Sequence, residues 1–351
     1  MNHRTLAAAC IALAAATTAH AQSQLNLYGI VDAWVGRMEN KAGPTTGDMT
    51  LLESGGLQAS RWGMRGEEDL GGGLKARFIL EQGIALDSGS ISTVSLSAVG
   101  FNRASYVALV GRAGELRLGR MLTAYDALRG STNQLYDSSG FASTGQVWGA
   151  GSTAANGLAA VGGSDYLARG NNTLLVRSPQ FGPIMGSASL TLGEGATTAT
   201  TNPRILTGHI EYASGPLRIG YAFQREKFSS GANRFDLVGG HYNFGIARLV
   251  YTAQAQKDER IAGGQKSREF QAGLDVPFGA ATVAVGYARA LTKNAAGAEV
   301  VDANGISALA TYALSKRTRL YAGARRLQVE RPDGSDALRQ LRYGAGVTHQ
   351  F

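Results

Sequence analysis

Along Ser60–Gln82, SRWGMRGEEDLGGGLKARFILEQ, four cations share one alternation: Arg61, Arg65, Lys75 and Arg77. Trp62, Met64, Leu74, Ala76, Phe78 and Leu80 occupy the intervening positions. Arg103 and Arg117 continue the cationic face in the next two segments. Successive side chains of a strand point to opposite faces, so this spacing collects fixed positive charge on one surface. Such a surface can hold or steer an anion but carries no covalent chemistry. The same spacing allows the plainer reading that some of these cations simply pair with Glu81, Glu115 or the turn acids Glu67, Glu68 and Asp69.

Other chemistries find little support. Beyond residue 21 the histidines are His209, His241 and His349, and none stands in a recognisable nucleophile arrangement with a serine and an acid. The single cysteine, Cys10, falls in the leader described below, which leaves no thiolate metal site and no disulfide. Gly71-Gly72-Gly73 lacks the spacing of a phosphate cradle and links two strands rather than opening a helix. No catalytic residue, no metal and no cofactor is expected. Asn171-Asn172-Thr173 matches a glycosylation sequon incidentally.

The elements that must carry the cations are strands. Two alternating runs joined by Glu67–Gly73 read as a hairpin. Sixteen alternating segments follow one another, from Leu25–Arg37 and Gln58–Gly66 to Leu338–Phe351. Short links such as Gly111–Gly114, Ser214–Gly215 and Asn243–Gly245 alternate with long polar ones such as Met38–Leu57, Ile84–Gly100 and Leu122–Gly170. An even strand number, tight turns at one end and long loops at the other describe an all-β, closed sixteen-stranded antiparallel transmembrane barrel. Strands of about 9–11 residues cross a bilayer when tilted. Closure is required because unpaired edge groups in lipid cost several kcal/mol each. The apolar rows Leu217-Ile219-Tyr221-Phe223, Leu249-Tyr251-Ala253 and Val283-Val285-Tyr287 then face lipid. Trp62, Tyr106, Tyr221, Tyr251 and Tyr287 are expected on that outer surface, and the cations in a water-filled interior.

Residues 1–21 read as an export signal: Arg4, an apolar core over Leu6–Ala16, and Ala19-His20-Ala21 before the cut, with the barrel occupying residues 22–351. The net charge of +8 would suit nucleic acid, but an exported chain without a lysine-rich tail points elsewhere, so no nucleic-acid partner is expected.

Several motifs together resemble the trimeric general porins of β-proteobacteria, which include the neisserial and Burkholderia-type porins. They are Leu27-Tyr28-Gly29-Ile30-Val31-Asp32, the Ser60–Gln82 hairpin, Phe101-Asn102-Arg103 leading to Leu118-Gly119-Arg120, Asn171-Asn172 through Gly182, and Thr348-His349-Gln350-Phe351. The resemblance implies a homotrimer in outer-membrane lipid, short periplasmic turns, long extracellular loops and passive diffusion of small hydrophilic solutes. It also implies a third loop folded into the pore, which maps onto Leu122–Gly170 with Tyr125, Asp126, Arg129, Asp137 and Asp165. Read together, the ladder Arg61, Arg65, Lys75, Arg77, Arg103 and Arg117 facing these loop acids predicts a mild preference for anions. Tyr28, Asp32 and Tyr125 could touch solute or be structural. The alternatives are a solute-specific channel, or a barrel serving mainly as an adhesin or surface receptor.

Overall fold

The computed structural model describes residues 24–42, 45–92, 100–132, 141, 147–148, 166–193, 203–260 and 263–351. The strands are β1 (Gln24–Ala42), β2 (Thr45–Ser54), β3 (Arg61–Gly71), β4 (Leu74–Ala85), β5 (Ser90–Ile91), β6 (Ala104–Gly111), β7 (Gly114–Leu122), β8 (Arg169–Arg177) and β9 (Ile184–Thr191). They continue with β10 (Arg204–Ser214), β11 (Leu217–Phe228), β12 (Gly231–Asn243), β13 (Arg248–Asp258), β14 (Gln265–Phe278), β15 (Ala281–Asn294), β16 (Glu299–Ala313), β17 (Thr318–Glu330) and β18 (Asp336–Gln350). A helix, α1 (Ala124–Ser131), follows β7.

Neighbouring strands pair antiparallel around a closed ring, and β18 returns to β1 over Ile30–Lys41. β2 and β3 share one edge of β1: β2 pairs with Ala33–Ala42 and β3 with Gln24–Ile30. They are two halves of one stave, broken at residues 55–60, and β5 is a two-residue appendage on β4. The wall therefore has sixteen staves, as the sequence predicts. Backbone bonds in both directions between Gly29 and Phe351, each 3.1 Å, seal the seam at the last residue.

Several elements depart from the sequence reading: β3 runs on through Glu67–Gly71, expected as the hairpin link, and β5 falls in the expected long link Ile84–Gly100. Residues 45–54, expected within the long polar link Met38–Leu57, extend the first hairpin as β2. Leu122–Gly170 contains α1. The outer face follows expectation: Leu217, Ile219, Tyr221, Leu249, Tyr251, Val283, Val285 and Tyr287 are all exposed. Ala222, Thr252 and Ala284, which alternate with them, are fully buried inside. Outward aromatics lie flat over cross-strand glycines. A Cβ on Gly29 would stand 2.4 Å from the Phe351 ring, on Gly66 2.3 Å from Phe78, and on Gly208 2.7 Å from Phe223. These pairings cover glycines that would otherwise weaken a strand.

Candidate functional site: the lumen

Arg61, Arg65, Lys75, Arg77 and Arg117 share one face of β3, β4 and β7, with Arg103 just before β6, and Glu67, Glu81 and Glu115 are each shared by two of these cations. Glu67 takes Lys75 at 2.6 Å and Arg77 at 2.7 Å. Glu115 takes Arg117 at 2.9 Å and Arg77 at 3.5 Å. Glu81 takes Arg103 at 2.7 Å and Arg61 at 3.7 Å, with the Tyr28 hydroxyl donating to it at 3.1 Å. Arg65 has no carboxylate partner among the described residues and lies over the Tyr28 ring, 5.4 Å from its centroid. Within this set six cations meet three carboxylates, a surplus of three positive charges, and Asp69 stands opposite Lys75 at the turn. Partly exposed ion pairs add little stability. Their effect here is to hold extended guanidinium groups in fixed places. Near the β3–β4 turn, Gln24, Asn26, Arg65, Glu67, Arg77 and Ile79 line a recess of about 380 Å³.

Tyr106 turns inward, contrary to the expectation of an outer girdle. It is 9% exposed, packs with Ala108, Met121 and Leu175, and lies beneath the Arg117 guanidinium. The physical reason is the irregular approach to β6. Gly100 has a φ of +58°, and the Asn102 side chain accepts the Gly83 N–H at 2.9 Å. Regular alternation starts only at Ala104, so Arg103 and Tyr106 can both face the lumen. Val107 and Leu109 point outward. Arg120 sits at a register shift in β7 and donates to the Asn102 carbonyl at 2.7 Å and to Asn171 at 2.6 Å.

The described residues between Ala124 and Leu167 lie against the opposite wall. Helix ends leave backbone groups unsatisfied, and here inward polar side chains receive them. The Ala124 N–H donates to Thr207 at 3.0 Å, and the Thr132 carbonyl accepts from Thr252 at 2.9 Å and from Gln271 at 3.1 Å. The helix thus runs along the inside of β9–β14. Its apolar side chains Tyr125 and Leu128 are fully buried against Ala222, Phe235 and Leu237, and the Tyr125 hydroxyl donates to Gln254. Tyr125 is therefore an anchor, not a solute contact. Asp126 accepts from the Tyr166 hydroxyl, and Arg129 stacks between Tyr166 (4.6 Å) and Trp148 (5.1 Å). Farther on, Phe141 beds against Trp34, Leu57, Leu309 and Tyr321, and Leu167 N–H returns to Glu226 at 2.7 Å. Asp137 and Asp165 lie outside the described residues.

Wall contacts of Ala124, Tyr125, Thr132, Phe141, Trp148 and Leu167 include residues of β10–β14, β16, β17 and β1 and Leu57 in the 55–60 break. Inward polar groups there, including Gln224, Glu226, Thr252, Gln254, Glu269 and Gln271, are correspondingly buried. The basic wall stays partly open: Lys75 keeps 45% and Arg77 32% of its side-chain surface. Among the described residues, these partly exposed cations stand across the interior from α1.

Asp32 is also structural. It is fully buried, accepts N–H groups from Gly56 (2.9 Å), Leu57 (3.2 Å) and Gln58 (2.8 Å), and receives the Tyr321 hydroxyl at 2.5 Å. It fixes the break between β2 and β3. His209 meets Ser187 at 2.7 Å, but its Nε2 has no partner among the described residues, so the orienting acid of a catalytic triad is missing there. The described residues contain no cluster of metal-ligating side chains.

The family model for Gram-negative porins matches residues 6–331. Outer membrane porin protein 32 of Delftia acidovorans is 34% identical over 282 residues, covering 76% of this chain and 74% of that protein. An outer membrane porin protein of Bordetella pertussis is 25% identical, covering 91% of this chain and 92% of that protein. Among solved structures, the anion-selective porin from Comamonas acidovorans superposes with a TM-score of 0.77 at 29% identity, covering 94% of this chain and 100% of that one. With a sealed barrel, a lipid-compatible exterior and a charged interior already in place, the chain belongs to the Gram-negative porin family and forms an outer-membrane channel.

Proposed function

We propose that this porin is a general diffusion channel for small hydrophilic solutes and ions, mildly selective for anions. The observation that carries the reading is the two-to-one sharing of carboxylates on the basic wall, which leaves a positive surplus beside the open interior. Rings or rows of one sign raise the local concentration of counter-ions and favour their passage. A relative of matching fold that is described as anion-selective supports the same sign. The channel works by diffusion, without catalysis, and assembles as a homotrimer after residues 1–21 are removed. N-terminal sequencing of outer-membrane material should begin at Gln22, and the folded detergent complex should have the mass of three chains. Reversal potentials under a salt gradient test the selectivity: a cation-selective wild type would overturn it.

A further inference from the structure

The outward face of β11–β15 carries a charge pattern that the lumen does not use. Across these five strands the register sets Arg225 opposite Arg234, Arg234 opposite Lys257, Lys257 opposite Lys266 and Lys266 opposite Lys293. Two residues farther along β11, Lys227 stands opposite Arg204 of β10. Neighbours along the strands, including Glu226, Phe235, Gln256, Gln265 and Ser267, are buried inside, so the cations point away from the lumen. Arg268 is exposed on the same face. Like charges directly opposite one another weaken a sheet, so the row calls for anions. The protein supplies some of them. Asp236 reaches Arg225 at 2.8 Å, Glu259 reaches Lys257 at 2.6 Å and Arg234 at 3.5 Å, and Glu299 reaches Lys293 at 3.7 Å. Arg204, Lys227, Lys266 and Arg268 have no carboxylate partner among the described residues. Within this set eight cations meet three carboxylates, a surplus of five positive charges.

The charge starts where the apolar band stops. Outward residues of β11 run Leu217, Ile219, Tyr221 and Phe223 before Arg225 and Lys227, and those of β13 run Leu249, Tyr251, Ala253 and Ala255 before Lys257. The opposite rim of β10–β15 presents apolar side chains instead: Tyr212, Leu217, Tyr242, Phe244, Ile246 and Phe278 are exposed there. With strands about 4.8 Å apart, the row spans roughly 20 Å around the barrel. A second copy of this face would set cation against cation, whereas lipid phosphates carry the matching sign and bind lysine and arginine strongly. Basic clusters of this size at a membrane surface recognise anionic headgroups. We propose that the row is a docking belt for lipid headgroups bearing more than one phosphate, in the leaflet that meets this rim.

Binding of fluorescent diphosphoryl lipid A to the detergent-solubilised channel tests it. Lys227→Gln, Lys266→Gln and Arg268→Gln combined leave the ion pairs of the belt in place and should weaken binding about tenfold. Lys227→Arg, Lys266→Arg and Arg268→Lys combined keep the charge and should bind as the wild type does. Arg65→Gln, Lys75→Gln and Arg117→Gln together remove as much charge from the lumen and should leave lipid binding unchanged. In lipid-free detergent the belt variant should melt no lower than the wild type, because repulsion is relieved, and it should lose the rise in melting temperature that lipid A gives the wild type. Undiminished binding by the belt variant would overturn the proposal. So would an equal loss in the lumen variant, which would reduce the effect to net charge. Displacement of lipid A by an equal concentration of inorganic phosphate would make the row a site for free phosphate and overturn its assignment to lipid.

Discussion

Charge in the lumen is set one carboxylate at a time. Because Glu67 and Glu115 each neutralise part of two cations, removing a carboxylate and removing a cation should move selectivity in opposite directions. Arg65→Gln removes one of three surplus charges and should lower the anion-to-cation permeability ratio by roughly a third. Glu67→Gln should raise it by a similar amount; reversal potentials of both variants check the pair. Asp32 belongs to a different class. Asp32→Ala removes the acceptor of two buried N–H groups, of the half-buried Gln58 N–H and of the Tyr321 hydroxyl, and should cost about 3 kcal/mol or more. The expected result is a lower denaturant midpoint without a change in selectivity. Asp32 and the ladder arginines were all visible as polar residues at alternating positions. Tyr106 was misplaced because the irregular step at residues 100–103 is decided by Asn102 reaching Gly83 and Ser92, contacts that no local pattern announces.

The staves were legible because each has lipid on one side and water on the other, which writes period two into the sequence. β2 was not legible because it extends the hairpin, and its run Thr45-Thr46-Gly47-Asp48-Met49-Thr50 has no apolar face to declare. α1 was hidden for a related reason. It spans only eight residues, and its N-cap residue Thr123 makes no side-chain capping bond. The wall supplies the caps instead, from residues between 80 and 140 positions away in sequence. Thr252→Val combined with Gln271→Leu should therefore loosen the loop, leaving the Thr132 carbonyl unpaired at about 1–3 kcal/mol. Faster protease cutting within residues 132–168, with the barrel intact, is the expected readout. At the seam, Gly29→Leu puts side-chain atoms into the space of the Phe351 ring. The yield of folded barrel, read as the heat-resistant band on a gel, should fall.

At the scale of the whole molecule, closure and asymmetry define the channel. Sixteen staves enclose more space than their own side chains fill, and α1 lies against one side of it. The contacts of α1 include β9–β14, while Lys75 and Arg77 on the wall across from it stay partly open. The sequence carries the ingredients of this asymmetry, a basic hairpin and a long loop. It does not carry their relation, because the loop's attachments are scattered over Ala222, Phe235, Gln254, Gln271, Leu309 and Tyr321. The most direct test of the central claim is the reversal potential of the purified channel in a tenfold potassium chloride gradient, repeated with Arg65, Lys75 and Arg117 changed together to Gln. The account predicts chloride preference in the wild type and its loss in the triple variant. Cation preference in the wild type, or chloride preference unchanged in the variant, would contradict it.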